Sequence, residues 1–265
     1  MREIGSGLVK VDVDGHRADV VLNRPEKRNA MNRALLSDLL QAIEEVQEDT
    51  EVRAMTLLGE GPVFSAGMDL EMMRDRGEQG AVGSDEATGG LRKVTDALAD
   101  SRVPVVAGLK RAAPAGAFEL SLPADFRVIS EDAQYGVIEV TLGMFPTGGA
   151  PSRLARLVGL GKAKEMVLSG EFIDPEEAKQ FGLVNEVCEA EDVDERARAW
   201  ADKLAKNAPL GMERARKVLN STLQMPLEES LDYESALGDP LTETDDYTEG
   251  FTARIEDREP EFERK

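Results

Sequence analysis

Between Ala112 and Ala150 the chain carries two glutamates inside segments that otherwise read as buried, and this constrains the fold more than any other feature. Glu119 follows small residues in AFELSL, which has helical spacing. Glu139 sits in YGVIEVTLG, flanked by Val137, Ile138, Val140 and Leu142. Burying a carboxylate is costly unless it is paired, hydrogen-bonded or protonated, and such costs are tolerated where chemistry is done. The expectation is therefore a carboxylate pair serving one substrate.

The flanking pattern predicts an α/β chain. LVKVDV (8–13) alternates apolar and polar residues, turns at Asp14-Gly15 and is followed by ADVVLN, a hairpin signal. A polar loop from Asn23 to Asn29 leads to an amphipathic helix, with Leu35, Leu36, Leu39, Leu40, Ile43 and Val46 at helical spacing. Val52 to Leu58 reads as a strand, VFSAGMDL as a strand end opening into a loop, and Arg74 to Gly90 as a solvated connection. Leu91 to Asp100 is helical and Val103 to Leu109 a buried strand; FRVIS and YGVIEV are strands. Helices follow at 151–158, 161–168 and 174–181, the last capped by Asp174 with Pro175 at its first position, before a strand at 183–188. Beyond Asp192 the chain reads as helical, at 192–222, 227–237 and 244–255. Two regions result: a mixed core, 1–190, and a helical part, 191–265.

The 265 residues include one cysteine, Cys188, and one histidine, His16. An intrachain disulfide, a cysteine-based zinc cluster and any mechanism needing several histidines are excluded, and His16 lies in an early turn where it reads as solvated surface. GLGK (159–162) reads as a helix boundary rather than a phosphate loop, and FSAGM is not a nucleophile elbow. No metal, flavin or nicotinamide cofactor is expected. The net charge of −20, from 52 acidic and 32 basic residues, argues against nucleic-acid binding. Spread along the chain, with arginines outnumbering lysines, it is expected to reflect adaptation to high salt. No apolar run is long enough to span a membrane and the N-terminus lacks a signal peptide's hydrophobic segment, so a cytoplasmic protein is expected.

Five segments, LNRPEKRNAMN (22–32), GPVFSAGMDL (61–70), AFELSLPADFRVISEDAQYGVIEVTLG (117–143), LSGEFIDPEEAKQFGLVNEV (168–187) and TEGFTARIEDREPEF (248–262), stand in an order that resembles the crotonase superfamily of enoyl-CoA hydratases and isomerases. The resemblance implies a spiral of strand-strand-helix turns, with C-terminal helices that assemble homotrimers or dimers of trimers. It implies an acyl-CoA thioester as substrate, coenzyme A being part of that substrate rather than a cofactor. Carried over by motif, the backbone N–H groups of Met68 and Gly116 form the oxyanion hole, and Gly116 begins a helix whose N-terminus adds positive potential. Glu119 mainly activates water and Glu139 mainly serves as acid and base at C2 of an enoyl thioester. An isomerase of the same family, needing chiefly Glu139, and a non-catalytic acyl-CoA-binding or partner-binding member are the alternative readings.

By the same resemblance Lys27 and Arg28 face the nucleotide of coenzyme A, Ala66, Asp69 and Leu70 border adenine and pantetheine, and Ala30 and Thr147 also belong to the substrate- and CoA-binding set. The chain departs from the family pattern in four places. Ala115 lies in a run where glycines are usual, Thr147 stands where hydratases commonly carry a glycine, and Arg254 and Asp257 replace an aromatic and a lysine. Ala115 would be strained if its φ must be positive.

Overall fold

Three strands whose side chains are buried on both faces, β3 (Arg17–Leu22), β4 (Ala54–Gly59) and β5 (Val105–Leu109), form the middle of the main sheet. Their near-continuous apolar runs are what a sheet covered on both sides requires. The computed structural model describes residues 1–79 and 90–265. Within them a seven-stranded sheet runs β1 (Arg2–Ile4), β2 (Val9–Asp14), β3, β4, β5, β7 (Phe126–Ser130) and β9 (Glu186–Cys188). The first three strands pair antiparallel and the rest parallel. The predicted hairpin forms, with Asp14 opposite Arg17 across Gly15-His16.

After leaving the main sheet, β3, β4, β5 and β7 each pass through a second, thinner layer before the next helix. That layer holds the two-stranded pair β6 (Ala112–Pro114) and β8 (Gln134–Gly136) and single bridges from Met31 to Met68 and from Tyr135 to Ile173. Backbone bonds join the turns: Met31 N–H donates to Gly67 O, Ser65 N–H to Ala112 O, and Gln134 N–H to Arg111 O. Strand, second-layer segment and helix thus repeat, as the spiral expectation requires. The helices are α1 (Arg33–Glu48), α2 (Leu70–Gln79), α3 (Leu91–Ala99), α4 (Gly116–Ser121), α5 (Ala150–Ser169) and α6 (Pro175–Gln180). In the C-terminal part follow α7 (Val193–Ala205), α8 (Pro209–Ser221), α9 (Leu227–Gly238) and α10 (Asp245–Glu256). Val193, Ala197 and Ala201 of α7 pack on Val21, Leu58, Val106 and Val128, closing one face of the sheet. The larger core, including α1, α3 and α4, fills the other.

The structure corrects several expected boundaries. Glu139 does not lie in a strand: β8 stops at Gly136, opposite Pro114, and Glu139–Leu142 is a 3₁₀ turn closed by Gly143 at positive φ. The last bond of this ladder runs from the Ala115 N–H to Gly136 O, after which Ile138 O accepts the Thr141 N–H and Glu139 O the Met144 N–H, so the β-branched run turns instead. The connection expected at 74–90 is helical through Gln79, because Asp69 Oδ1 accepts the N–H groups of Glu71 and Met72 and caps α2; positions 80–89 lie outside the described residues. VFSAGMDL contains a single bridge, not a strand. The helix expected over 192–222 breaks at Asn207-Ala208 ahead of Pro209, and α5 carries an interruption at Gly159 (φ 80°, ψ 158°) where a boundary was expected. No helix among the described residues is long and apolar enough to cross a membrane.

Candidate active site

All six residues of α4 are buried, so the helix that carries Glu119 is fixed on every side. Tyr135 packs against Phe118 with the ring planes tilted by 43° and the centroids 4.4 Å apart, and shares a hydrogen bond of 2.9 Å with Ser121 Oγ. Beyond the C-terminal end of α4 the buried Arg127 donates to the carbonyls of Ser121, Leu122, Ala124 and Leu183. A cation there satisfies carbonyls the helix leaves unpaired and complements its dipole. At the other end Ala115 holds φ 49° and ψ −122°, the positive φ at which an alanine is strained.

Glu119 and Glu139 are each 3 % exposed and line one cavity of about 760 Å³. Glu119 Oε1 accepts the Ala150 N–H at 3.0 Å. Burial raises its pKa, against the opposing effect of the backbone N–H groups of Ala150, Gly148 and Gly149 at the start of α5. Gly148 is packed so closely that a Cβ there would lie 2.9 Å from Glu119 Oε2 and 2.8 Å from Leu91 Cδ2. Neither carboxylate oxygen of Glu139 has a hydrogen-bond partner among the described residues. Burial first, and the neighbouring Glu119 second, push its pKa up to about 7. A carboxyl poised near neutrality beside a second, amide-held carboxylate can exchange protons with a bound molecule.

Met68 and Gly116 border the same cavity, and their N–H groups donate to no protein acceptor among the described hydrogen bonds. Their segments touch, since a Cβ on Gly116 would come within 2.9 Å of Met68 Cγ and one on Gly67 within 3.8 Å of the Gly116 nitrogen. The Met68 loop is held from below. Asn29, fully buried, donates through Nδ2 to Glu60 O, Val63 O and Phe64 O, while Ser65 Oγ donates to Asn29 O and accepts the Gly67 N–H. Arg24 clamps Asp69 at 2.6 Å, so the carboxylate of Asp69 caps α2 and anchors a loop.

Of the residues expected at the site, Lys27, Ala30, Ala66, Met68, Asp69, Leu70, Gly116, Glu119, Glu139 and Thr147 all line this cavity. Arg28 does not: its side chain is exposed, and its backbone, at φ 51°, closes the short 3₁₀ turn Pro25–Lys27 and accepts the Ala66 N–H. Arg24, Asn29, Ser65, Arg127 and Gly148 support the site without having stood out in the sequence, because their partners are mostly backbone groups far along the chain. The Gly148-Gly149 pair was the one local signal available.

A buried acid pair beside two backbone N–H groups with no protein acceptor, in a mostly apolar cavity, is chemically able to exchange protons with a bound molecule and to donate to a carbonyl oxygen. The profile of the enoyl-CoA hydratase/isomerase family matches residues 16–265, and the chain belongs to that family. It is 34 % identical over 243 residues to the 2,3-dehydroadipyl-CoA hydratase of Escherichia coli K12, covering 92 % of this chain and 93 % of that one. It is 32 % identical over 259 residues to the short-chain-enoyl-CoA hydratase of Clostridium acetobutylicum, covering 96 % of each. The crystal structure of enoyl-CoA hydratase from Bacillus anthracis superposes with a TM-score of 0.91 at 32 % identity, over 97 % of this chain and all of that one.

Proposed function

We propose that the chain is an enoyl-CoA hydratase that adds water across the C2=C3 bond of a trans-2-enoyl-CoA. The observation that carries this reading is the pair Glu119 and Glu139, both buried, in one cavity beside the Met68 and Gly116 amides. The thioester carbonyl accepts from those two N–H groups. Ionised Glu119 takes a proton from water as the water oxygen bonds to C3, and the electron pair of the double bond moves into an enolate whose oxygen the amides hold. Protonated Glu139 delivers its proton to C2, and the proton held by Glu119 restores the pair. Donors of this kind are worth about 3 to 4 kcal/mol of transition-state stabilisation each.

Exposed Leu219, Leu223, Leu227 and Phe251 on the C-terminal helices, together with the family resemblance, support a homotrimer or dimer of trimers. The hydratase reading is tested by incubating the protein with crotonyl-CoA in dilute and molar KCl and following loss of the conjugated thioester absorbance. Absorbance should fall; none in either condition would reject hydration.

The double-bond isomerase is the second reading, favoured by Glu139 alone having both oxygens unpartnered. Conversion of trans-3-hexenoyl-CoA to the 2-enoyl isomer by Glu119→Gln at the wild-type rate would establish it.

A further inference from the structure

The buried residues of α3 are Leu91, Val94, Thr95 and Leu98, and Thr95 is the one polar side chain among them. A hydroxyl in that position needs an acceptor. Thr95 Oγ1 lies 2.9 Å from Arg92 O in its own helix and 3.1 Å from Gly148 O on the segment leading into α5. It has one proton for the two. Arg92 O lies inside the helix, where the amide four residues on also bonds it, whereas Gly148 O has no other donor among the described hydrogen bonds. The unmet need is that of Gly148 O.

That oxygen belongs to the Gly148–Gly149 peptide, and in a planar trans peptide the C=O and the N–H point in opposite directions. Holding Gly148 O on α3 therefore turns the Gly149 N–H away from α3. This N–H is one of the three amides that favour the ionised form of Glu119. Glycines flank the peptide on both sides and Gly149 holds φ 116°, so its orientation is limited by its partners rather than by a Cβ. Resting on the hydratase reading, we propose that Thr95 is a positioning residue for Glu119: its hydroxyl fixes the Gly148–Gly149 peptide, and with it the amides that face the general base. The following peptide is tied to α3 by another route. Asp96 Oδ1 accepts from Arg153 Nη2 at 2.9 Å, and the Arg153 N–H donates to Gly149 O at 2.9 Å.

The test uses Thr95→Val, which keeps the shape of the side chain and removes the hydroxyl, and Thr95→Ser, which keeps the hydroxyl. In crotonyl-CoA hydration Thr95→Val should lose about tenfold or more in kcat with KM within about twofold of wild type, and Thr95→Ser should recover kcat to within about threefold. A second readout needs no turnover. Glu119 is titrated by carbon-13 NMR of glutamate-labelled protein, its signal assigned by loss in Glu119→Gln. Because Glu139 is coupled to it, the titration is read in a Glu139→Gln background. Adding Thr95→Val should move it to higher pH, and Thr95→Ser should leave it in place. A hydroxyl that serves only the fold would lower the melting temperature and leave kcat and the Glu119 titration unchanged, which would overturn the proposal. Thr95→Ser behaving as Thr95→Val would overturn it too. Should Thr95→Val not fold, Thr95→Ala carries the same expectations. Absence of hydration by the wild type would reject the hydratase reading, and the Glu119 titration would then decide on Thr95 by itself.

Discussion

In the proposed mechanism Glu139 is the residue whose ionisation sets the working pH. In the hydration direction it must carry a proton, and burial with Glu119 nearby holds its pKa at about 7. The kcat/KM for crotonyl-CoA hydration is thus expected to fall as pH rises through about 7; a rate still climbing there would contradict the assignment. The same shift has a stability consequence. The unfolded chain releases this proton near 4.5 and the folded chain near 7, so folding stability is lost as pH rises through that window. The stability difference between Glu139→Gln and wild type should move in the variant's favour by on the order of 3 kcal/mol between pH 4 and pH 8, read by urea unfolding. Ala115→Gly is expected to stabilise the protein by about 1 kcal/mol, because glycine accepts φ 49° without the Cβ clash. Both acids were legible in the sequence because charge inside apolar runs is conspicuous. That Glu119 is held by amides while Glu139 is left bare was not, since those amides lie about thirty positions onward at the start of α5.

At the level of elements, α4 and the start of α5 act as two jaws holding Glu119. Gly148→Ala places a methyl against Glu119 Oε2 and Leu91 Cδ2, both ends of flexible side chains that can move aside. Stability should change by about 1 kcal/mol or less, while kcat drops about 10- to 100-fold through a displaced carboxylate. Wild-type kcat in that variant would show that the Gly148 contact does not position Glu119. The long elements were readable from periodicity, as in α1, where Leu35, Leu39 and Ile43 face the core. The three-residue strands β1 and β6 carry too little pattern to be read. The turn at Glu139 begins where the β6–β8 ladder stops, after the Ala115 N–H bonds Gly136 O, and the end of a partner strand some twenty positions earlier is not visible to a local rule.

Across the whole molecule, a net charge of −20 is carried on a fold that superposes on a solved relative with a TM-score of 0.91. We propose that the charge is an adaptation to high salt: the melting temperature should rise from dilute buffer to molar KCl as repulsion among carboxylates is screened. Stability indifferent to KCl would sink that reading. The spiral itself was legible only through the ordered motifs, because its second layer consists of single bridges and short pairs that no periodicity announces. What it achieves is to bring the segments after β3, β4, β6 and β8 to one cavity, lined by Met68, Gly116, Glu119 and Glu139. The most direct test of that convergence is the turnover of crotonyl-CoA by Glu119→Gln and Glu139→Gln, with butyryl-CoA affinity measured alongside. Each variant should lose about a thousandfold in kcat while binding butyryl-CoA as the wild type does. Turnover by either variant within about tenfold of wild type would contradict the two-carboxylate mechanism.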